Sequence, residues 1–238
     1  MLTDFHSHIL PGVDDGAQSL EDSLAMLRME AAQGVDRVIA TPHFVAQHDK
    51  PQRFLERRDR AETLLRRELE KHPELPGILV GAEVYYFRGI SEWEFLPRLT
   101  LGDTRCLLLE MPPAPWPETV YEELEAIRSK RGLIPVIAHI DRYIGPFHTH
   151  GIPRRLENMP VYVQANGDFF LERRTAAMAL RMLKKDQIHL LGSDCHSTGS
   201  RKPNLGDTVE RIRNKLGEDA IQRLLQYENT VLCKKLME

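Results

Sequence analysis

Cysteine is scarce in this chain. The 238 residues contain three, Cys106, Cys195 and Cys233, widely spaced and odd in number. Such a set excludes a disulfide framework and fits a reducing cytoplasm. There is no basic excess either. A formal net charge of −3 argues against a surface built to neutralise a nucleic-acid backbone. No stretch approaches the ~18 apolar residues of a membrane span. The opening MLTDFHSHIL has no basic leader and no long apolar run, so no signal peptide is expected. Internal repeats and low-complexity segments are lacking too. These absences point to a cytoplasmic protein with no membrane span and no nucleic-acid partner.

What is present is a regular alternation. Apolar residues make up 42% of the chain, enough for a sizeable core. Seven short apolar runs, LTDFHSH, RVIATPH, GILVGAE, CLLLEMP, IPVIAHI, VYVQAN and IHLLGSD, are each of strand length. Several are apolar on both faces, as buried parallel strands are. Helical patterns lie between them. Leu20, Leu24, Leu27 and Ala31 share one face, Ser19 stands three residues before Asp22 as a helix start, and Gly34 supplies a stop. Residues 53–71, 118–130, 172–185 and 207–216 read as further helices, with a short helical tail after the last. Seven βα units running from end to end, as one domain over 1–238, predict a closed barrel related to the eight-stranded kind or an open doubly wound sheet.

The runs end in metal- or phosphate-binding residues. The first ends in His6 and His8, the second in His43, the third in Glu83, the fourth in Glu110 and the fifth in His139, followed by Asp141 and Arg142. Asn166 ends the sixth, and Asp194 and His196 end the seventh. In a parallel barrel these positions share one rim. A single buried carboxylate or imidazole is more often a satisfied hydrogen-bonder than a ligand. Eight such residues on six of seven strand ends are a poor fit to chance. In an extended strand, residues two apart share a face, so His6 and His8 can grip one cation. The remaining histidines read as bland: His48 in a loop, His72 near a helix end, His189 at the opposite end of a strand, and His148 and His150 in a Gly/Pro-flanked loop. Asp14 and Asp15 precede the turn residue Gly16; either can serve the turn or fold back to a metal.

A second chemistry also has to be weighed. Cys195-x5-Arg201 matches the short pattern of a cysteine-dependent phosphatase. The segment holds one glycine, Gly199, and Pro203 soon follows, which suits a phosphate-wrapping loop poorly. It also leaves the His and carboxylate rim without a role. The blander reading of Cys195 is a small side chain packed behind the site.

The stretches DFHSHILPGVDDGA, ATPHF, GAEVYY, LLLEMP, VIAHIDRY, VQAN and GSDCHSTGSRKP, in that order, resemble the polymerase-and-histidinol-phosphatase (PHP) superfamily. Within it, the sequence is most similar to the manganese-dependent tyrosine-protein phosphatases of bacterial capsule and exopolysaccharide loci. The resemblance implies a distorted seven-stranded (β/α)7, TIM-like barrel carrying three divalent metal ions, most simply Mn²⁺, with Zn²⁺ and Fe²⁺ compatible with the same donors. It implies one ion on His6, His8, Glu83 and Asp194, a second on Glu83, Glu110 and His139, and a third on Asp15, His43 and His196. Arg142 and Arg201 match the arginines expected to grip phosphate. Cys195 departs from the pattern, standing where a small apolar residue is expected.

That resemblance implies hydrolysis of phosphotyrosine by direct attack of a metal-bridging hydroxide, with a bacterial tyrosine autokinase as the expected partner. Small phosphomonoesters such as histidinol phosphate are the alternative substrates. Four carboxylates against three divalent ions leave a surplus of about two positive charges for anions. The tyrosinate leaving group, of pKa near ~10, has little need of a general acid. Tyr85, Tyr86 and Phe87, directly after Glu83, and Trp116 in the stiff MPPAPWP loop are candidates for the mouth; packing under the next loop is the competing expectation for the three aromatics after Glu83.

Overall fold

Two interrupted strands explain how nine short strands make a ring of seven staves. The computed structural model describes residues 1–144 and 151–233; His148 and His150 lie outside these described residues. The strands are β1 (Thr3–Ser7), β2 (Arg37–Ala40), β3 (His43–Phe44), β4 (Gly77–Val80), β5 (Glu83–Tyr85), β6 (Cys106–Glu110), β7 (Ile134–Ile137), β8 (Tyr162–Asn166) and β9 (Leu190–Gly192). All of the pairings between them are parallel. They form a three-stranded sheet, β1-β2-β4, and a six-stranded sheet, β3-β5-β6-β7-β8-β9. β2 and β3 are two halves of one stave, broken at Thr41 and Pro42, where proline has no N–H to give the ladder. β4 and β5 are broken at the same level, at Gly81 and Ala82. Both halves keep the same neighbour, Ala40 against Val80 and His43 against Glu83. A bridge between Ser7 and Cys195 joins β1 to the chain just after β9. There Asp194 N–H donates to the His6 carbonyl at 2.7 Å, and His8 N–H donates to the Cys195 carbonyl at 2.9 Å. The expected distorted seven-stranded barrel is the one found.

Alternating side chains along the staves explain the two cores. Phe5, Ile39, Leu108, Val136 and Leu190 come from five different strands and meet inside the ring. Leu107, Leu109, Ile137 and Leu191 point outward to the helical layer. Truncating Leu108, which has no exposed surface, to alanine costs about 2–5 kcal/mol at a site walled by neighbours that cannot collapse.

The described helices are α1 (Leu20–Ala32), α2 (Pro51–Leu69), α3 (Glu118–Arg131), α4 (Ile152–Leu156), α5 (Gly167–Leu171), α6 (Ala176–Lys184), α7 (Leu205–Leu216) and α8 (Glu218–Leu232). Ser19 and Asp22 form the expected capping box of α1. Three differences from the sequence pattern stand out. The helix expected from 172 begins at Ala176, after α5 has ended at Leu171. The short tail is a fifteen-residue helix, α8, whose Val231 closes the inner core. The five-residue helices α4 and α5 are too short to show a 3.6-residue period in sequence.

Candidate metal centre

The site starts from an irregularity in β1. Thr3 and Asp4 pair with Arg37 and Val38, but Ser7 pairs with Ala40, so three steps on β1 oppose two on β2. The extra residue lets Phe5 enter the inner core while His6, its neighbour, turns to the C-terminal mouth. His6 and His8 then converge, with their Nε2 atoms 3.2 Å apart. His6 Nδ1 faces Gln164 Oε1 at 3.3 Å, and His8 Nδ1 faces Asp14 Oδ2 at 2.7 Å. Acceptors at Nδ1 place the ring proton there and leave each Nε2 lone pair aimed at a common point.

Glu83 sits at the centre and is wholly buried. Its Oε2 lies 3.1 Å from His6 Nε2, 3.5 Å from His8 Nε2 and 2.8 Å from His43 Nδ1. Its Oε1 lies 2.7 Å from His139 Nε2, which is 3.8 Å from Glu110 Oε1. Asp194 Oδ1 lies 3.5 Å from His6 Nε2 and 3.4 Å from His8 Nε2. Asp15 Oδ1 lies 3.5 Å from His43 Nε2 and 3.4 Å from His196 Nε2. All nine residues singled out as ligands are therefore in one constellation. Three overlapping groups have donor atoms close enough for one cation each: His6, His8, Glu83 and Asp194; His8, Asp15, His43 and His196; and His43, Glu83 and Glu110. The third differs from the expected set by holding His43 where His139 was anticipated. His43 is central enough to face two groups, while His139 faces the same two acids from the side.

The donor set fits divalent cations. Glu83 Oε2, Asp194 Oδ1 and His196 Nε2 are buried polar atoms that no well-aligned hydrogen bond satisfies among the described residues; their neighbours are the ion-pair contacts of the cluster, including Arg201 on Asp194 Oδ1. Leaving such atoms unsatisfied is costly, and a cation satisfies them together. His139 and Asp194 also have left-handed backbones, with φ of 31° and 53°. Strain of this kind persists where the surroundings dictate a side-chain position. Electrostatics points the same way. Burial opposes charge on Glu83, yet the imidazoles of His6, His139 and His43 hold its carboxyl well below the usual range. Burial, with His8 and Arg201 nearby, pushes His196 down to about 4, so its ring stays neutral and a donor at neutral pH.

Asp14 and Asp15 divide the two roles weighed for them. Asp14 accepts from His8, Gly16 N–H and His43 N–H, and so fixes the loop and one histidine ring. Asp15 faces the cluster and is 67% exposed. Arg142 reaches Asp194 Oδ2 at 2.5 Å and Glu110 at 3.4 Å, and Arg201 reaches Asp194 Oδ1 at 2.9 Å. Both guanidiniums are partly exposed at the rim. Sequence reasoning missed two orienting residues. Gln164 holds His6 Nδ1 and accepts the His139 N–H at 2.7 Å, and Tyr143 OH contacts His139 Nδ1 at 3.1 Å. The available signal for Gln164 was a polar residue inside an apolar run, two positions before Asn166. Asn166 itself donates to Asp194 Oδ2 at 3.0 Å.

The other candidates resolve simply. Cys195 is wholly buried, and its thiol faces Glu30 at 3.9 Å. Burial, with Glu30 and Asp4 beside it, pushes that thiol well above its ordinary value, so no nucleophilic thiolate forms. Trp116 is buried against Tyr121 and Tyr143, and Phe87 packs edge-on to Trp93. Packing therefore accounts for both. His72 pairs with Glu68 and Glu74 beyond α2, and His189 accepts the Val163 N–H far from the site.

Similarity to known proteins agrees with this geometry. "Tyrosine-protein phosphatase CpsB" of Streptococcus pneumoniae is 31% identical over 241 residues, covering 94% of each chain. "Tyrosine-protein phosphatase YwqE" of Bacillus subtilis strain 168 is 27% identical over 242 residues, covering 97% of this chain and 91% of its own. A chain from the crystal structures of YwqE from B. subtilis and CpsB from S. pneumoniae, described as unique metal-dependent tyrosine phosphatases, superposes with a TM-score of 0.85 at 26% identity. That superposition covers 100% of this chain and 96% of the other. The family model for capsular polysaccharide synthesis proteins CpsB/CapC matches residues 2–234, and the chain belongs to that family.

Proposed function

We propose that this chain is a metal-dependent protein-tyrosine phosphatase, a single catalytic domain that acts in the cytoplasm on a tyrosine autokinase of polysaccharide export. The observation that carries the reading is Glu83, whose two oxygens are shared among His6, His8, His43 and His139, with no amide or hydroxyl donor to it among the described residues. A single carboxylate placed among four imidazoles suits a bridge between cations.

In this reading His6, His8, Glu83 and Asp194 hold one ion, Glu83, Glu110 and His139 a second, and Asp15, His43 and His196 a third. Mn²⁺ suits these all-nitrogen-and-oxygen donors. Divalent ions, when bound, supply Lewis acidity that acidifies water and offsets charge on the phosphoryl oxygens. The protein's own groups do the rest. Asp14, Gln164 and Tyr143 orient the rings of His8, His6 and His139. Arg142 and Arg201, now resting on Asp194, are placed to swing onto phosphate oxygens in a two-pronged grip. The buried floor keeps bulk water from competing for the donor atoms. Tyr85 and Tyr86, half-buried beyond Glu83, are the aromatic groups nearest in sequence for the substrate ring.

The test is turnover on a phosphotyrosine peptide by the full chain, before and after chelation and after Mn²⁺ is restored. Activity lost on stripping and regained with Mn²⁺ supports the proposal. Undiminished turnover by metal-free protein refutes it. Histidinol phosphate and single-stranded DNA, run in parallel, separate a tyrosine phosphatase from the other chemistries of the superfamily.

A further inference from the structure

Asp4 lies two residues before His6, belongs to none of the ligand sets above, and is wholly buried. Its carboxylate accepts the His6 N–H at 3.0 Å, the Ser193 N–H at 2.9 Å and the Ser193 hydroxyl at 2.5 Å. Ser193 Oγ in turn accepts the Cys195 N–H at 3.1 Å. Between them, Asp194 N–H donates to the His6 carbonyl at 2.7 Å. The three N–H groups of residues 193–195 are thus all bound to β1, directly or through Ser193. That is the segment in which Asp194 holds its left-handed backbone.

A second buried acid stands behind the first. Glu30, on α1, is also wholly buried; one of its oxygens lies within 4.8 Å of an Asp4 oxygen, and its Oε1 lies 3.9 Å from Cys195 Sγ. Neither acid faces a cation among its strongest interactions.

We propose that Asp4 and Glu30 are a positioning pair, which fixes the backbones of His6 and Asp194 so that their donor atoms stand ready for a divalent cation. The proposal rests on the reading of His6 and Asp194 as ligands. Asp4 ties the two strand ends together, and Glu30 packs behind it from the helical layer. The alternative for the same cluster is a cation site of its own, because Asp4, Glu30 and Cys195 each offer one donor atom within 4.8 Å of the others.

The test compares the full chain with its Asp4→Asn, Ser193→Ala, Glu30→Gln and Glu30→Leu variants. Mn²⁺ affinity is measured by competition with a fluorescent chelator, Mn²⁺ content per chain by mass spectrometry, and folding by melting of the metal-free proteins. Asn at position 4 cannot accept the Ser193 hydroxyl and both N–H groups. Asp4→Asn is therefore expected to weaken Mn²⁺ binding by about 10–100-fold. Ser193→Ala, which removes one hydroxyl and leaves the Asp4 carboxylate in place, should weaken it less but in the same direction. It carries the test if Asp4→Asn does not fold. Glu30→Gln keeps a polar side chain of the same shape beside Asp4 and should retain affinity and full metal content, whereas Glu30→Leu should lose affinity. Wild-type affinity in both Ser193→Ala and Glu30→Leu overturns the proposal. So does a drop of one Mn²⁺ per chain in Glu30→Gln, which makes the cluster a ligand site. If the wild-type chain itself binds no Mn²⁺, the ligand reading fails and the pairing has no object.

Discussion

Glu83 Oε1 and His139 Nε2 lie 2.7 Å apart, joining β5 to the turn just after β7, across the stave between them. The other Glu83 oxygen faces His6, His8 and His43. Loss of Glu83 should therefore release more than one ion. Glu83→Gln is expected to lower kcat/KM by about a thousandfold and to reduce metal content by more than one ion per chain. Asp15→Asn, which alters a carboxylate that pairs with His43 and His196 and does not reach Glu83 among the described residues, should cost about 10–100-fold with smaller loss of metal. Metal analysis beside steady-state kinetics checks both. Equal effects from the two variants would argue against a shared bridge.

Cys195 should be dispensable for chemistry. Its thiol is buried, and it points to Glu30 rather than to the cluster. Cys195→Ser is expected to keep kcat near the wild-type value and to lose about 1–2 kcal/mol of stability, from placing a hydroxyl in the core. Phosphatase assays and thermal melting read the two effects separately. A variant that folds but is inert would restore the cysteine mechanism.

Gly192 is a tight approach of β9 to β1. A Cβ there would stand 2.5 Å from His6 Cβ and 2.7 Å from Gln164 Nε2. His6 cannot retreat without leaving Glu83. Gly192→Ala should therefore destabilise the metal-free protein by about 1–3 kcal/mol and lower metal affinity as well. Gly34→Ala serves as the control. Gly34 has a φ of +76° but no neighbour near its Cβ, so its penalty falls on stability alone. Matched losses of metal affinity in both variants would contradict the argument.

Glu228 offers a pH signature away from the site. Burial raises its carboxyl to about 8, although it accepts the Thr3 N–H at 3.0 Å. The folded state therefore binds a proton that the unfolded state releases near the ordinary glutamate value. This contribution is full below about pH 4.5 and is lost as pH rises through about 8. Stability of the wild-type chain should fall by up to a few kcal/mol over that window. Glu228→Gln should flatten the slope in denaturant titrations at pH 5, 7 and 9. A slope unchanged by the substitution would place its origin elsewhere.

The staves were legible because Val, Ile and Leu runs bounded by turn residues leave little choice of element. The rim was legible because parallel strands put their last residues at one end, and all nine candidate ligands arrived there. What escaped depends on register. Nothing in DFHSH announces the extra residue that lets Phe5 and His6 both face inward. The break at Gly81 becomes meaningful only beside the one at Pro42. Gln164 and Tyr143 hold histidines from distant strands, so their partners cannot be read from local spacing. Asp14 and Asp15, adjacent in sequence, separate only once His8 Nδ1 is seen to claim the first.

The two breaks also divide the candidate ligands between two plates. His6 belongs to the three-stranded sheet, and His43, Glu83 and Glu110 belong to the six-stranded one. An ion held by His6 and Glu83 together, as proposed, would be a rivet across the seam as well as part of the chemistry. Emptying the cluster should loosen that seam first, so amide protons beside it should exchange faster while those under the outer helices stay protected.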